Sequence, residues 1–451
     1  MLKKVLVANR GEIACRVIKA CHDLGIIAVA VYSTVDQASL HVQLADEAYC
    51  IGSAQAKKSY LDIPTILAVA EHCGADAVYP GYGFLAENAD FADACVNAGL
   101  IFIGPSGEAI RKMGDKAVAR KTMQSLGVPV VPGTKDLIEN EAEARKVAAE
   151  IGYPVLIKAT AGGGGKGMRV VHEPQELVRA LRQAAQEAER SFGNGGVYLE
   201  KYLTAARHVE IQIMADGKGN AVYLGERDCS TQRRHQKLLE EAPSPVVGSE
   251  LRATMGKAAV AAAQAIAYSG AGTVEFIVDG KKNFYFMEMN TRIQVEHPVT
   301  EAITGTDLVK TQLLVAAGEP LPWQQQDIRL DGWAIECRIN AEDCEHNFMP
   351  CPGQLKRYQP PHGEGIRVDS AVFEGYTITP FYDSMIAKVI ALAPSRLEAI
   401  ARMQKALHDF KIEGVKTTIG LHQKLLATEA FQKGLIDTDY LETHLEEILK
   451  Q

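Results

Sequence analysis

Two glutamates could hold a metal ion. Glu275 and Glu288 each lie inside an apolar segment, and an Asp279-Gly280 turn separates the two segments. If the segments pair as a hairpin, the carboxylates face each other with the Asn290 oxygen nearby, and Mg²⁺ prefers such hard oxygen ligands when it also holds nucleotide phosphates. The alternative is that both glutamates line a solvated sheet face. Their apolar flanks favour burial with a metal.

Three polar side chains alternate just after this pair. Arg292, Gln294 and Glu296 occupy every second position, so in an extended segment they share one face. A cation, an amide and a carboxylate in one place could bind a small oxyanion and remove its proton. Alternating polar residues also describe a half-exposed strand, and spacing alone favours that simpler interpretation.

A glycine run could bind phosphates. Residues 162–165 are all glycine and are followed by Lys166-Gly167. Without Cβ atoms, the backbone can approach a polyphosphate and point its N–H groups at it. A flexible turn explains the cluster equally well. The segment is not a Walker A loop, because Gly167 stands where Ser or Thr should follow the lysine and Thr160 stands where the first glycine belongs.

Two lysines are candidates for phosphate contacts. Lys158 ends the strand predicted before the glycine run, and Lys116 is a second candidate. An isolated lysine is more often a solvated surface charge. Residues 226–237 add four cationic groups and a histidine, which indicates either an anion site or a loop paired with the adjacent Glu240-Glu241. Cys229, within that run, is expected to be buried and inert.

Alternating strands and helices must position these groups. The first 115 residues predict strands at 5–8, 27–32, 77–79 and 101–103 and a helix at 12–24, which together indicate a parallel sheet flanked by helices. The first turn has one glycine, whereas a dinucleotide site of the Rossmann type needs three. This argues against a dehydrogenase.

The rest of the chain divides further. Residues 116–130 predict a connecting helix, and residues 131–203 predict a compact insert that could move as a lid, with a helix at 139–151 and a strand at 155–159. Residues 204–451 predict an α+β body with strands at 209–214, 272–278 and 284–289 and a helix at 250–268. Taken together, the fold class is α/β and α+β.

Bulk composition narrows the class of protein. At 451 residues, the chain is longer than a single hydrophobic core usually supports, so two or three subdomains are expected. A formal charge of −8 argues against nucleic-acid and anionic-membrane partners. No apolar run approaches the roughly 18 residues of a membrane helix or forms a signal peptide. The nine cysteines include no CxxC pair, which argues against disulfides and zinc. We expect a cytoplasmic protein.

Five segments together resemble the biotin carboxylase family over essentially the whole chain. They are ANRGEIA at 8–14, PGYGFLAEN at 80–88, the glycine run, ERDCSTQRRHQK at 226–237 and EMNTRIQVEHP at 288–298. This resemblance implies an ATP-grasp fold with a Rossmann-like N-terminal domain, a mobile lid and a C-terminal α+β domain. It also implies that ATP, bicarbonate and biotin are substrates and that Mg²⁺ or Mn²⁺ is the metal.

The resemblance also implies roles for individual residues. Those implied for ATP are Lys116, Lys158, Gly163, Gly164, Gly165, Lys166, Gly167, Glu200, Lys201, Leu203, His208, Gln232, His235, Glu275 and Glu288. Those implied for bicarbonate are Lys237, Arg292, Gln294, Val295 and Glu296, and those for the metal are Glu275, Glu288 and Asn290. Tyr82 and Arg338 are implied for biotin. The implied catalytic residues are Glu296, Arg338, Lys237 and Arg292.

Partners follow from the same resemblance. Biotin carrier domains have a Met-Lys pair, which this chain lacks, so biotin is expected on a separate carrier protein, with separate carboxyltransferase subunits. Arg16 and Asp383 lie in segments that resemble the family's dimer contacts. Multi-subunit acetyl-CoA carboxylase is the expected setting, and a pyruvate, 2-oxoglutarate or propionyl-CoA carboxylase is the alternative. A ligase of another substrate class, such as a carbamoyl-phosphate or amino-acid ligase, and a nucleotide-binding subunit without chemistry are the competing hypotheses.

Overall fold

The N-terminal part is built on a parallel sheet. The computed structural model describes residues 2–134, 137–138, 140–159 and 168–450. The first elements are β1 Lys4–Val7, α1 Gly11–Asp23, β2 Ile27–Ser33, α2 Leu40–Leu44, β3 Glu47–Gly52, α3 Ile63–Cys73, β4 Ala77–Tyr79, α4 Ala89–Asn97, β5 Ile101–Phe102 and α5 Gly107–Gly114. The strands lie in the order β3-β2-β1-β4-β5, and every neighbouring pair is parallel.

Alternation along β1 explains the two layers around this sheet. Val5 and Val7 pack in one core with Ile13 of α1, while Leu6 packs in another core with Ile66 of α3. Both faces are therefore covered by helices, as parallel sheets require. The predicted α/β arrangement of this region is confirmed.

A small three-stranded sheet follows. Helix α6 Lys116–Ser125 comes first and packs in the core of the body, where Met123 lies with Phe286. The elements of the small sheet are α7 Glu141–Ile151, β6 Val155–Ala159, β7 Met168–Val171, α8 Leu177–Phe192 and β8 Val197–Lys201. The strands lie in the order β7-β6-β8 and pair antiparallel. They share a core with the two helices, in which Ala148 of α7, Ile157 of β6 and Leu181 of α8 are buried. The predicted glycine run, with Gly163, Gly164, Gly165, Lys166 and Gly167, lies outside the described residues.

The body is a larger sheet flanked by helices. Its elements are β9 Arg207–Asp216, β10 Ala221–Arg233, β11 Gln236–Ala242, α9 Ser249–Ala265, β12 Ser269–Val278, β13 Phe284–Asn290, α10 His297–Thr304, α11 Leu308–Ala316, β14 Trp333–Asn340, β15 Glu342–Asp343, β16 Met349–Pro350, β17 Gly353–Gln354, β18 Arg357–Gln359, β19 Ile366–Ser370, β20 Thr377–Ile378, β21 Met385–Ala393, α12 Arg396–Asp409, β22 Lys411–Glu413, α13 Ile419–Ala427, α14 Glu429–Gln432 and α15 Tyr440–Lys450. Eight of these strands form one antiparallel sheet in the order β13-β12-β9-β10-β11-β14-β21-β19.

One helix boundary differs from the prediction. The helix expected at 250–268 ends at Ala265, because Ala267 takes a left-handed φ of 48° that stops helical hydrogen bonding. Strand β12 then starts at Ser269. Within the described part of the chain, no helix is long and apolar enough to cross a membrane.

Candidate active site

The centre of the candidate site is a lysine surrounded by carboxylates. A two-residue turn, Arg234-His235, joins β10 to β11, and both its residues have positive φ, 48° and 62°. Such a turn matches the twist of paired strands, and Lys237 follows it on β11. Its Nζ donates hydrogen bonds to Glu210 Oε2 at 2.6 Å, Glu275 Oε1 at 2.9 Å and Glu296 Oε1 at 2.7 Å.

The electrostatics of this cluster keep its central pair charged. Burial alone would lower the pKa of Lys237, but Glu210, Glu275 and Glu296 raise it well above its usual value. Burial alone would raise the pKa of Glu296, but Lys237, Arg338 and Arg227 hold it below the usual carboxyl range. Glu296 is therefore an ionised, buried carboxylate that can accept a proton.

Arg338 approaches Glu296 from the adjacent strand β14. Its Nη2 donates to Glu296 Oε2 at 3.0 Å, and its Nε donates to Glu240 Oε1 at 2.6 Å. Glu296 thus lies between an ammonium and a guanidinium. A guanidinium has further N–H groups with which to bind a developing oxyanion.

The segment before α10 brings the alternating residues together in a different way from that predicted. Residues 291–296 form bends and a turn, so the expected extended segment is wrong. Within this segment Arg292 turns back on β13, with Nη2 donating to Asn290 Oδ1 at 3.0 Å, while its Nε donates to Glu87 Oε2 at 3.0 Å. Gln294 Nε2 donates to Glu275 Oε1 at 2.9 Å. Arg292 and Gln294 are therefore linked through Asn290 and Glu275, which also bond to each other. Glu296 instead contacts Lys237 and Arg338, and Lys237 joins it to Glu275.

The predicted metal residues lie on the two paired strands β12 and β13. Glu275 and Glu288 occupy facing register positions, and Asn290 Nδ2 donates to Glu275 Oε1 at 2.9 Å. Burial and then repulsion from Glu275 raise the pKa of Glu288. A divalent cation would offset this repulsion, so the donor set of two carboxylates and an amide oxygen fits magnesium.

A second cluster of potential ligands shares Glu275 with this donor set. Atoms of His208, Glu210 and Glu275 lie within 4.8 Å of one another. Lys237 Nζ lies close to both carboxylates, at 2.6 Å from Glu210 and 2.9 Å from Glu275. His208 Nε2 lies 3.0 Å from Glu275 Oε2. Burial alone would lower the pKa of His208, but Glu275 and Glu210 together raise it above its usual value.

Three of the predicted nucleotide residues lie on the small sheet, Lys158 on β6 and Glu200 and Lys201 on β8. Lys158 Nζ lies 2.5 Å from Glu200 Oε2, and Glu200 also pairs with Arg120. Lys201 Nζ instead donates to the carbonyls of Gly152 and Tyr153.

The other predicted nucleotide residues lie on several elements. Lys116 starts α6, and its charge opposes the rise that burial and Glu275 cause in the pKa of Glu288. Gln232 is buried at the end of β10, and His235 lies in the turn to β11, where burial lowers its pKa. Leu203 is half-buried after β8.

Tyr82 reaches this site through a chain of contacts. Its hydroxyl donates to Glu12 Oε1, which lies 3.0 Å from Lys388 Nζ. Lys388 in turn donates to the carbonyl of Val295 at 2.7 Å. The residue predicted for biotin is thus linked to the backbone beside Glu296.

Three charged residues that contact the predicted site residues were assigned no role in the site by the sequence analysis: Arg227, Glu210 and Glu240. Arg227 is wholly buried and donates to Glu210 at 2.5 Å and to Gln294 at 2.8 Å. Glu240 contacts Arg338. The alternative interpretation of the basic run, a loop paired with Glu240-Glu241, is not what the described residues show. Glu240 pairs with Arg338, and Glu241 pairs with Arg396. The sequence did contain a signal for these residues, which was a charged side chain inside an otherwise apolar strand. Because burial of an unpaired charge is costly, such a residue is expected to have a buried partner of opposite charge.

Cys229 is buried, as predicted. Its Sγ lies 4.0 Å from Glu296 Oε1, and burial followed by the nearby carboxylates raises the pKa of the thiol well above its usual value. The thiol therefore stays protonated.

Family comparisons match this architecture in three consecutive parts. Residues 1–110 match the family described as "Biotin carboxylase, N-terminal domain", residues 115–324 match "Carbamoyl-phosphate synthase L chain, ATP binding domain", and residues 336–443 match "Biotin carboxylase C-terminal domain". The fold and the charged site are those of an ATP-grasp ligase. Biotin carboxylase 1 of Bacillus subtilis is 60% identical over 445 residues, covering 98% of this chain and 99% of that protein. The chain belongs to the biotin carboxylase family.

Other relatives serve different carboxylases. A pyruvate carboxylase subunit of Methanothermobacter thermautotrophicus is 54% identical, covering 98% of this chain and 90% of that protein. The biotin carboxylase domain dimer of Hydrogenobacter thermophilus 2-oxoglutarate carboxylase, solved with MgADP, ADP and bicarbonate, is 52% identical with a TM-score of 0.95 and covers 99% of each chain. Family membership therefore does not select one final acceptor.

Proposed function

We propose that this chain carboxylates biotin on a separate carrier protein, using ATP and bicarbonate. The observation that carries this proposal is the ionised carboxylate of Glu296, buried between Lys237 Nζ at 2.7 Å and Arg338 Nη2 at 3.0 Å. A base flanked by two cations suits an anionic substrate that must lose a proton. The bicarbonate structure of the Hydrogenobacter relative supports the same substrate.

The first half of the reaction activates bicarbonate. Lys237, Arg292 and Gln294, with the backbone at Val295, hold the anion, and Glu296 takes its proton. The bicarbonate oxygen then attacks the γ-phosphorus of ATP, the bond to the β-phosphate oxygen breaks, and ADP leaves. Carboxyphosphate is the product of this step.

The second half transfers the carboxyl group. Carboxyphosphate splits into carbon dioxide and phosphate, and the phosphate takes the ureido proton of biotin. Arg338 stabilises the enolate-like biotin oxygen, and Tyr82 lines the biotin side of the site. The biotin nitrogen then bonds to carbon dioxide.

ATP binding is assigned to the region between the small sheet and the body. We propose that Lys116, Lys158 and the glycine run, with His208, Gln232 and His235, contact its phosphates and ribose, and that the connector at 200–203 contacts adenine. Magnesium held by Glu275, Glu288 and Asn290 would neutralise charge on the phosphates.

The domain division belongs to the same proposal. We assign residues 1–115 to the N-terminal domain, 116–130 to a connecting helix, 131–203 to a lid and 204–451 to the body. The separate core of the small sheet, which includes Ala148 and Leu181, supports a lid that can move as a unit. Closure would keep carboxyphosphate away from water.

The setting is also proposed. We favour a homodimeric subunit of cytoplasmic acetyl-CoA carboxylase, working with a biotin carboxyl carrier protein and carboxyltransferase subunits in malonyl-CoA and fatty acid synthesis. The dimer of the Hydrogenobacter relative supports the homodimer. Relatives named for pyruvate and 2-oxoglutarate carboxylases support those acceptors as the alternative.

Labelled bicarbonate tests the reaction directly. The purified protein, incubated with ATP, magnesium, labelled bicarbonate and free biotin, should form labelled carboxybiotin and one ADP for each. ATP cleavage that ignores bicarbonate and biotin would overturn the proposal. Adding candidate carrier proteins with each transferase and acceptor then identifies the setting, which is acetyl-CoA carboxylase if malonyl-CoA alone is labelled.

A further inference from the structure

Glu240 on β11 contacts Arg338 more closely than Glu296 does. Arg338 Nε and Nη2 both reach Glu240 Oε1, at 2.6 and 2.5 Å, whereas a single contact joins Arg338 to Glu296. Glu240 is wholly buried. Its second oxygen, Oε2, is buried and has no hydrogen-bond partner within the described ranges. The guanidinium is therefore anchored mainly by one oxygen of this carboxylate.

A second buried glutamate faces Glu240 across the strand pair. Glu336 on β14 is the direct register partner of Glu240 on β11, and facing residues in an antiparallel pair have Cβ atoms about 5 Å apart. Glu336 is wholly buried, and neither of its carboxyl oxygens has a hydrogen-bond partner in the part of the chain that the structure describes. Two adjacent buried carboxyl groups cannot both be ionised without a large cost.

Nearby cations do not remove this conflict. Lys388 on β21 is a further cation that acts on Glu336. It is engaged by Glu12 at 3.0 Å and by the carbonyl of Val295 at 2.7 Å. The charge of Lys237 is shared among three other carboxylates.

The remaining titratable groups around Glu336 add no positive charge. Tyr82 is neutral, because burial, followed by the field of Glu12, raises its pKa. His297 on α10 is also neutral, because burial and the nearby cations lower its pKa. Glu296 adds a negative charge, since its pKa lies below the usual range.

We propose that Glu240 is the positioning residue that aims Arg338 at the biotin oxygen, and that Glu336 holds a proton so that this pair carries one negative charge. The inference rests on the proposed biotin carboxylation. A second full charge beside Arg338 would neutralise the cation that must stabilise the enolate-like oxygen. A carboxyl O–H on Glu336, directed at Glu240, would also satisfy the unpartnered Oε2.

The pKa directions agree with this geometry. Burial raises the pKa of Glu336 well above its usual value, and the charge of Glu240 adds to that effect against Lys388 and Arg338. Burial also raises the pKa of Glu240, to about 7, although Arg338 opposes it. Because Arg338 contacts Glu240 directly, the shared proton belongs on Glu336.

The test separates two rates in the intact protein: bicarbonate-dependent ATP cleavage without biotin, and its stimulation by free biotin. Glu240→Gln should lower the biotin-stimulated rate about 100-fold, the loss expected when a catalytic group is misplaced by about 1 Å, and should change the rate without biotin far less. Equal losses in both rates would show that Glu240 supports the fold rather than the position of Arg338, and would overturn the proposal. If Glu240→Gln does not fold, Glu240→Asp, which withdraws the carboxylate, makes the same comparison.

Glu241→Gln is the matched control. It lies next on the same strand, is buried, and pairs with Arg396 at 2.7 Å, away from Arg338. It should leave the ratio of the two rates unchanged. A change as large as that of Glu240→Gln would overturn the assignment.

Glu336→Gln tests the proton. Deprotonation of Glu336 at alkaline pH adds a negative charge beside Arg338. The pH profile of the biotin-stimulated rate of the wild type should therefore have an alkaline limb on which the rate falls. Glutamine cannot lose this proton, and the limb should move to higher pH in Glu336→Gln. Identical alkaline limbs in the wild type and in Glu336→Gln would overturn the proposal that Glu336 holds a proton. A wild type without biotin stimulation would instead overturn the proposed function itself.

Discussion

Lys237 Nζ lies 2.7 Å from Glu296 Oε1 inside the body sheet. The two residues come from different elements, β11 and the irregular segment before α10. The contact lowers the pKa of Glu296, yet the same lysine is in position to bind the anion whose proton Glu296 would take. Under the proposed function, acid–base chemistry and substrate binding would depend on this one ion pair, and substitutions can separate the two roles.

Replacing the carboxylate tests the base. Glu296→Gln preserves the side-chain volume but cannot accept a proton, so bicarbonate-dependent ATP cleavage should fall at least about 100-fold. Nucleotide affinity should remain close to that of the wild type, because Glu296 is proposed to contact bicarbonate. Steady-state kinetics and calorimetric titration with ADP check the two parts. A variant that loses ADP affinity would show that the role of Glu296 has been misplaced.

Replacing the lysine tests anion binding. Lys237→Gln removes a charged hydrogen-bond donor, and such a donor contributes about 1.5–3 kcal/mol, so the bicarbonate KM should rise about 10-fold or more. Lys218→Gln, a control distant from the site whose lysine donates to the carbonyl of Gly318, should leave it unchanged. An unaltered bicarbonate KM in Lys237→Gln would remove this lysine from the pocket.

Much of the fold was predictable because its periodicity is local. Strand β6 lies at the predicted residues 155–159, and the parallel sheet at the start follows from its alternating strands and helices. The site was less predictable because its contacts are distant in sequence. Arg227 meets Glu210 and Gln294 only after β9, β10 and the segment before α10 pack together. The predicted extended geometry at 291–296 failed for the same reason, since Arg292 bonds back to Asn290.

Replacing a predicted metal ligand tests the divalent site. Glu288→Gln removes one of the two facing carboxylates, so half-maximal activity should require about tenfold more magnesium, while the ATP dependence at saturating magnesium changes less. Asp279→Asn, in the loop of the same hairpin, is the control. Its side chain accepts hydrogen bonds from the backbone of Lys281 and Asn283. Equal magnesium requirements in both variants would exclude Glu288 as a ligand.

His41 should make stability depend on pH. The side chain is wholly buried, and burial lowers its pKa to about 4 although Asp36 opposes the shift. The unfolded chain, with a histidine pKa near 6.5, binds a proton first as the pH falls. The stabilisation is therefore complete above about pH 6.5 and is lost progressively toward pH 4.

A substitution isolates this contribution. Linkage between those two pKa values makes the native state about 2 kcal/mol less stable at pH 5 than at pH 7 through this one group. His41→Leu places an apolar side chain in this buried position, and leucine cannot bind a proton. Between pH 7 and pH 5 the variant should therefore lose about 2 kcal/mol less stability than the wild type. Urea unfolding of both proteins at pH 7 and pH 5 measures the difference. Parallel losses would show that His41 is not held neutral by its burial.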